Sequence, residues 1–267
     1  MSDRGPGGIA RRWERLAADG RTALIPYVTA GYPSRAATVA TLHMLAADGA
    51  DLVEVGVPFS DPLADGPTIQ RASFEALRQG TTVRGVLDLV REAALSIPVV
   101  LFSYLNPILR YGTERFLADA RSVGAGGVLV TDLPVGEDPG VEAAIRASGL
   151  DRIPLVAPTT TEARLPDAVA GGSGFVYVIS RRGVTGARTA VDAELERLTA
   201  RVRAHTRLPL AVGFGIAGAE QAAAVARFAD GIVVGSALVE RMGWGGGAAR
   251  DLVLELRQAL DAAGVPG

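Results

Sequence analysis

The chain has 267 residues, of which 48% are hydrophobic and 21% charged, enough to bury a substantial core and too apolar for a disordered chain. Its 27 basic residues oppose 29 acidic ones, and the net charge of -2 gives no field that would attract nucleic acid or an anionic membrane. No apolar run reaches the roughly 18 residues of a membrane span. The first ten residues lack the apolar stretch of a signal peptide, so a cytoplasmic location is expected.

The residue types that are missing restrict the chemistry. There is no cysteine, which excludes disulfides, thiolate nucleophiles and sulfur-ligated metals. All 27 basic residues are arginine, so a Schiff-base lysine and a lysine-held pyridoxal cofactor are excluded. The two histidines, His43 and His205, lie in predicted helices, which leaves no multi-histidine metal site and argues against a Ser-His-Asp triad. Catalysis would therefore depend on carboxylates, hydroxyls and backbone amides, and no metal site is predicted.

Eight β-rich runs alternate with helix-like segments along the chain, and no change in composition divides it. This alternation predicts a parallel sheet with crossover helices, and eight repeats favour a single (β/α)₈ barrel over residues 1–267 rather than an open doubly wound sheet. Residues 1–12 are predicted to be a loosely ordered extension. The predicted strands are 23–28, 51–57, 98–103, 127–131, 153–157, 174–179, 209–213 and 231–234, and the predicted helices are 36–47, 83–95, 114–123, 141–148, 191–204, 219–228 and 248–263.

The second predicted strand carries a candidate catalytic acid. Because strand side chains alternate, its valines at 53, 55 and 57 share the face that packs on helices, and Glu54 points into the barrel beside Gly56. A carboxylate there is costly unless it is paired or functional. Barrel active sites lie at the carboxyl ends of the strands, so we favour an acid/base role over a purely structural glutamate.

The loop that follows, 58–67, contains three prolines together with Asp61 and Asp65. Such a loop is shaped to present a carboxylate at the mouth of the barrel. Aspartate is also common as a turn or cap residue, and one of the two could have only that role.

Two later loops indicate a phosphorylated substrate. Segment 180–189 is long, polar and contains two glycines that can act as hinges, as a mobile lid would, and its arginines fit phosphate contacts or a solvated face equally well. The run GFGIAG at 213–218 matches a dinucleotide fingerprint, but it follows the seventh strand and lacks the acidic residue about 20 positions later. Together with Gly235 and Ser236 after strand eight, it predicts the phosphate site typical of barrels.

The run EVGVPFSDPLADGPTIQ at 54–70 closely resembles the signature of the tryptophan synthase α subunit family. The resemblance covers nearly the whole chain beyond the first dozen residues. It implies a lyase that splits indole-3-glycerol phosphate into indole and glyceraldehyde 3-phosphate. Supporting runs are IPYVTAG (25–31), YLNPI (104–108), TDLP (131–134), YVISRRGVTG (177–186), GFGI (213–216) and GS (235–236).

The resemblance also implies roles for individual residues. Glu54 matches the general acid/base of the family and Asp65 the aspartate that binds the indole N–H. Residues matching substrate contacts are Tyr27, Tyr177, Thr185, Gly186, Phe214, Gly215, Gly235 and Ser236.

A partner is implied in the same way. Asp61, Asn106 and Pro134 match positions at the interface with a β subunit, in an α2β2 tetramer. No cofactor is implied for this chain, since pyridoxal phosphate belongs to the β subunit. Two alternatives stay open: a standalone lyase that needs no β subunit, and an inactive paralogue that only activates one.

Overall fold

The computed structural model describes residues 3–179, 188–213 and 215–263, excluding the side chains of 188–192 and 246. Within these ranges nine strands form one parallel sheet, in the order β5-β4-β3-β2-β1-β9-β8-β7-β6. The strands are β1 (Ala23–Thr29), β2 (Val53–Gly56), β3 (Val99–Ser103), β4 (Gly127–Val130), β5 (Asp151–Arg152), β6 (Leu155–Val156), β7 (Val176–Ile179), β8 (Leu210–Gly213) and β9 (Gly231–Val234).

The two edges of this sheet are consecutive in the chain, so the sheet closes into a barrel. β5 pairs with β4 and β6 pairs with β7, while only Ile153 and Pro154 separate them. The Ile153 N–H donates to the carbonyl of Val128 at 2.9 Å, and the Pro154 carbonyl accepts from the Tyr177 N–H at 2.8 Å. In place of the predicted strand 153–157 there are two short strands, β5 before this range and β6 within it, because Pro154 between them has no N–H for a continuous ladder. The TIM-barrel prediction is confirmed.

Twelve α-helices occur in the described residues. All seven predicted helices are present. The sequence patterns did not predict the other five, which begin at residues 8, 67, 105, 165 and 236. The helices are α1 (Gly8–Ala18), α2 (Arg35–Ala47), α3 (Pro67–Arg78), α4 (Val83–Ala93), α5 (Leu105–Tyr111), α6 (Thr113–Ser122), α7 (Pro139–Ser148), α8 (Leu165–Val169), α9 (Arg188–Arg203), α10 (Ala219–Ala226), α11 (Ser236–Trp244) and α12 (Gly246–Ala263).

The N-terminal segment differs from the expected loose extension over residues 1–12. From residue 8 it forms α1, whose Ile9 and Trp13 are buried in the core that fills the barrel. The Asp3 side chain is 2% exposed and forms an ion pair with Arg15. Apolar burial of this kind is worth about 1.5–3 kcal/mol for a large side chain, which explains why the segment packs on the barrel.

Two apolar cores lie on opposite faces of the strands. Val53 and Val55 belong to the larger core between sheet and helices, as the alternation in β2 predicts. The smaller core fills the barrel and includes Leu52, Phe102 and Tyr177. Glu54 therefore faces the barrel interior. In the described part of the chain, no helix is both long and apolar enough to cross a membrane.

Candidate active site

Glu54 lies on the inner face of β2, beside Tyr27 of β1 and Val100 of β3 in the parallel register. Its side chain is fully buried, and neither carboxyl oxygen has a hydrogen-bond partner among the described residues. Burial alone raises the pKa of Glu54 to about 8. The carboxyl group is therefore mostly protonated at neutral pH and can donate a proton, as a general acid must.

Two tyrosine side chains flank this acid, and each lies over a glycine. A Cβ atom at Gly56 would lie 2.0 Å from the Tyr27 hydroxyl oxygen, and one at Gly213 would lie 2.0 Å from that of Tyr177. Gly56 thus makes room for the phenol of Tyr27 rather than for Glu54. Burial raises the pKa of both phenols above the usual value, so both stay neutral beside the acid. Both tyrosine rings belong to the buried core on the inner face of the barrel.

Asp65 reaches the same cavity from the loop after β2. It is 4% exposed, and its backbone is fixed because the Gln70 side chain donates to the Asp65 carbonyl at 3.0 Å. The Tyr104 hydroxyl accepts from the Ala64 N–H at 3.0 Å. Burial and the Asp65 carboxylate, which is hydrogen-bonded to the phenol, raise the pKa of Tyr104. Tyr104 therefore orients the loop and its carboxylate.

Tyr104 was missed as a site residue by the sequence reasoning. It occurs in the run YLNPI directly after the predicted third strand, which is a position that a barrel reserves for site residues. That position was the signal available. The contact of Tyr104 with Asp65 depends on the path of the loop after β2, which the spacing of residues in the sequence does not show.

The N-terminus of α11 closes the opposite side of the cavity. The first N–H groups of a helix have no partner within it, and here they follow Gly235 and begin at Ser236. Gly215 has a φ of 84°, a left-handed conformation that favours glycine. These backbone groups and the Ser236 hydroxyl form an arrangement suited to an anion.

A single cavity of about 110 Å³ unites these features. Seven of the predicted substrate-site residues line it together: Tyr27, Glu54, Asp65, Tyr177, Gly215, Gly235 and Ser236. Three others, Thr185, Gly186 and Phe214, lie outside the described residues. A larger cavity of about 330 Å³ lies elsewhere, lined by none of these residues.

A sequence model described as tryptophan synthase alpha chain matches residues 13–260. The tryptophan synthase alpha chain of Thioalkalivibrio sulfidiphilus is 50% identical over 264 residues, which is 95% of this chain and 99% of the relative. That of Acidiphilium cryptum is 50% identical over 240 residues, 89% of this chain and 87% of the relative. The chain belongs to the tryptophan synthase alpha chain family.

Solved structures of this family have the same fold. A tryptophan synthase structure from Mycobacterium tuberculosis has a TM-score of 0.88 at 41% identity, covering 94% of this chain and 97% of its own. A tryptophan synthase alpha subunit from Legionella pneumophila gives 0.88 at 37% identity, covering 98% and 99%.

The family assigns the reaction. This chain is a lyase of the α reaction, the cleavage of indole-3-glycerol phosphate within tryptophan biosynthesis. The alpha chain of this family binds no cofactor of its own, because pyridoxal phosphate belongs to the beta chain. Within the described residues, no group of three His, Asp or Glu side chains is arranged to hold a metal ion.

The residues expected at the partner interface lie outside the cavity. Asp61, Asn106 and Pro134 are all exposed, on the segments that follow β2, β3 and β4. Two contacts tie these three neighbouring segments together. The Tyr104 hydroxyl accepts from the loop after β2, and the Asp132 carboxylate accepts from the Leu105 N–H at 2.7 Å.

Proposed function

We propose that Glu54 and Asp65 perform the α reaction in this chain, Glu54 as the general acid and base and Asp65 as the acceptor for the indole N–H. The observation that carries the proposal is the fully buried Glu54 carboxyl group, which has no hydrogen-bond partner among the described residues and shares one cavity with a second carboxylate. An unpaired buried carboxyl group lowers the stability of the fold, and such groups occur mainly in active sites.

Glu54 can both supply the proton that the cleavage needs and recover one at its end. Protonated Glu54 donates to C3 of the indole ring, which places a positive charge on the ring nitrogen. The bond between C3 and the glycerol carbon then breaks, and its electron pair returns to the ring to restore indole. The adjacent glycerol hydroxyl becomes the aldehyde of glyceraldehyde 3-phosphate, and its proton passes to the Glu54 carboxylate, which ends protonated as it began.

Asp65 acts on the charge that develops during this step. Its carboxylate accepts from the indole N–H and balances the positive charge on the nitrogen, an electrostatic contribution that increases towards the transition state. Tyr104 holds this carboxylate from the neighbouring loop. The low polarity around Glu54 strengthens both interactions, because few other dipoles compete.

The phosphate of the substrate is proposed to bind at Gly215, Gly235 and Ser236, with Gly186 as a further contact. The unpaired N–H groups of the first turn of α11 support this site. A crystal grown in phosphate should show the anion against the amides of Gly235 and Ser236. An anion held instead by the arginines at 181 and 182, with these amides unoccupied, would contradict it. Tyr27, Tyr177, Thr185 and Phe214 are proposed to surround the rest of the substrate.

A β subunit is the proposed partner, bound through Asp61, Asn106 and Pro134 in an α2β2 tetramer. Family membership supports a complex with a β subunit. The Leu63 side chain, 91% exposed in the same loop as Asp61, supplies an apolar contact for such a surface. We also propose a cytoplasmic location.

One experiment tests the proposal against its alternatives. Steady-state cleavage of indole-3-glycerol phosphate is measured for the chain alone and with a tryptophan synthase β subunit. The proposal requires a low rate for the chain alone and a higher rate with the β subunit, because closure of the loops is biased by the partner. A high rate that the β subunit leaves unchanged would identify a standalone lyase. No cleavage in either case would identify an inactive activator.

A further inference from the structure

The ring of helices is thin between α7 and α8. Helix α8 has only 5 residues and follows a 3₁₀ turn (Glu162–Arg164), so it covers little of the strands beneath it. A cavity of about 330 Å³ opens there, large enough for a small ligand, since such sites are typically about 300–1,000 Å³. Ile145 and Leu133, which line it, belong to the core between sheet and helices. Ile153, which also lines it, belongs to the core that fills the barrel, so the cavity lies where the two cores meet. It shares no lining residue with the active-site cavity.

Arg152 lines this cavity with few partners. Its side chain is 12% exposed, and among the described residues it makes one hydrogen bond, 3.4 Å long, to the Leu133 carbonyl. The Glu142 oxygen that faces it lies 3.8 Å away and already accepts from the Gly136 N–H at 2.6 Å. A guanidinium group has five N–H donors and does not lose its charge in proteins. One long hydrogen bond and the 3.8 Å ion pair with Glu142 therefore leave donors available to a ligand in the cavity. Burial lowers the pKa of Arg152, as expected for a charge with too little compensation.

The mouth of the cavity adds a second cation and free hydroxyl groups. Arg164 is exposed at the rim and forms no ion pair within the described residues. The hydroxyls of Thr159 and Thr161 lie beside it, likewise without hydrogen-bond partners among the described residues. The walls opposite are apolar, from Leu133 and Ile145. A buried guanidinium, an apolar wall and a polar rim match one type of ligand, an anion with a small apolar body.

We propose that this cavity is a binding site for a small amphiphilic anion, whose carboxylate or phosphate group pairs with Arg152 while its apolar part packs against Leu133 and Ile145. The anion replaces the partners that Arg152 lacks. Arg164 and the two threonine hydroxyls hold the outer oxygens of the same group.

The test measures binding of benzoate to the full chain by amide chemical shifts at Thr159, Thr160 and Thr161. Benzamide, which has the same ring without the charge, is the uncharged comparison, and phenyl phosphate distinguishes a phosphate ligand from a carboxylate. Arg152→Gln should weaken benzoate binding at least about tenfold, since a hydrogen bond to a charged group is worth roughly 1.5–3 kcal/mol. Arg227→Gln removes the same charge from an exposed position at the end of α10 and is the matched control, expected to change affinity less than twofold.

Arg152→Lys provides a second variant should the glutamine variant fail to fold. It keeps the charge but loses the planar fork, so its affinity should fall between those of the wild type and the glutamine variant. The proposal is wrong if neither anion gives a saturable shift up to about 10 mM, well above the roughly 1 mM dissociation constant of a weak site. It is also wrong if benzamide binds as tightly as benzoate, or if shifts appear at Ser236 and not at the three threonines.

Discussion

Asp51 and Glu54 are three residues apart in the chain, both are buried, and their surroundings differ completely. The Asp51 carboxylate accepts from the Leu24 N–H at 2.9 Å and from Arg257 at 3.0 Å, and Arg12 lies 3.4 Å away. The Glu54 carboxyl has no such partner in the described part of the chain. Burial raises the pKa of both groups, but only for Asp51 do a backbone amide and arginines counteract it.

Asp51 and Glu54 have different roles, although they lie in one short segment. Asp51 lies before the strand begins, where α1 and α12 supply Arg12 and Arg257, so its charge joins both ends of the chain to the barrel. Glu54 lies further along β2, where apolar side chains and neutral phenols surround it. A paired buried charge is a structural element, whereas an unpaired one is free to transfer a proton.

The largest effect should come from Glu54→Gln. The amide keeps the size of the side chain but cannot transfer the proton, and a positioned acid/base is worth roughly 10²–10⁴ in rate. Because this group acts at two steps, we expect the kcat for indole-3-glycerol phosphate cleavage to fall by the upper part of that range, with unfolding stability equal or higher. Near-normal turnover would return Glu54 to a structural role.

Asp51→Ala should have the opposite profile. Removing Asp51 leaves the buried Arg257 with only the half-exposed Asp261 and the Thr22 carbonyl as partners among the described residues. Breaking a buried ion pair costs about 3–5 kcal/mol of unfolding free energy, measured by denaturant titration. The rate per folded molecule should be close to normal. Asp48→Ala is the control nearby, because its partner Arg250 is 58% exposed and a surface pair is worth about 1 kcal/mol or less. Equal losses in the two variants would refute the contrast.

Asp65→Asn should lower kcat less than Glu54→Gln does. The amide oxygen can still accept from the indole N–H but cannot balance the charge, and losing a charge-assisted bond corresponds to about a tenfold to hundredfold decrease in rate. Steady-state kinetics of the two variants with the same substrate provides the ranking. A larger loss for Asp65→Asn would make Asp65, rather than Glu54, the principal catalytic group.

The last prediction concerns how the stability of the fold depends on pH. The folded pKa of Glu54, about 8, exceeds the ordinary value of 4.5, so between these values the folded state binds more protons than the unfolded state. Stability from this group is therefore complete below 4.5 and is lost as pH rises to about 8. The difference in unfolding free energy between Glu54→Gln and the wild type should increase across this window and then level off. A difference independent of pH would mean that Glu54 is charged in the folded protein.

Local pattern was sufficient for the main features of the fold and for the position of Glu54. The alternation in β2 assigned its valines to the helix side and Glu54 to the interior, because successive strand side chains must point to opposite faces. The structure differs from the predicted elements where the conformation of a short segment depends on the residues that pack against it. Around Pro154 two short strands, 151–152 and 155–156, replace the predicted strand 153–157. Helix α1 forms because Ile9 and Trp13 pack in the core of the barrel, which residue spacing alone does not show.

The sequence by itself determined the barrel, the family and the loops that carry the site, because periodicity and motif are properties of neighbouring residues. Only the tertiary structure decided how each charge is compensated. It gives Asp51 two arginines and brings Tyr104 to Asp65. It places Glu54 between two phenols with no hydrogen-bond partner among the described residues, and Arg152 beside a cavity with one long hydrogen bond and a 3.8 Å ion pair. These outcomes depend on distances between segments far apart in the chain, and a charge is stabilised or destabilised by what surrounds it in space.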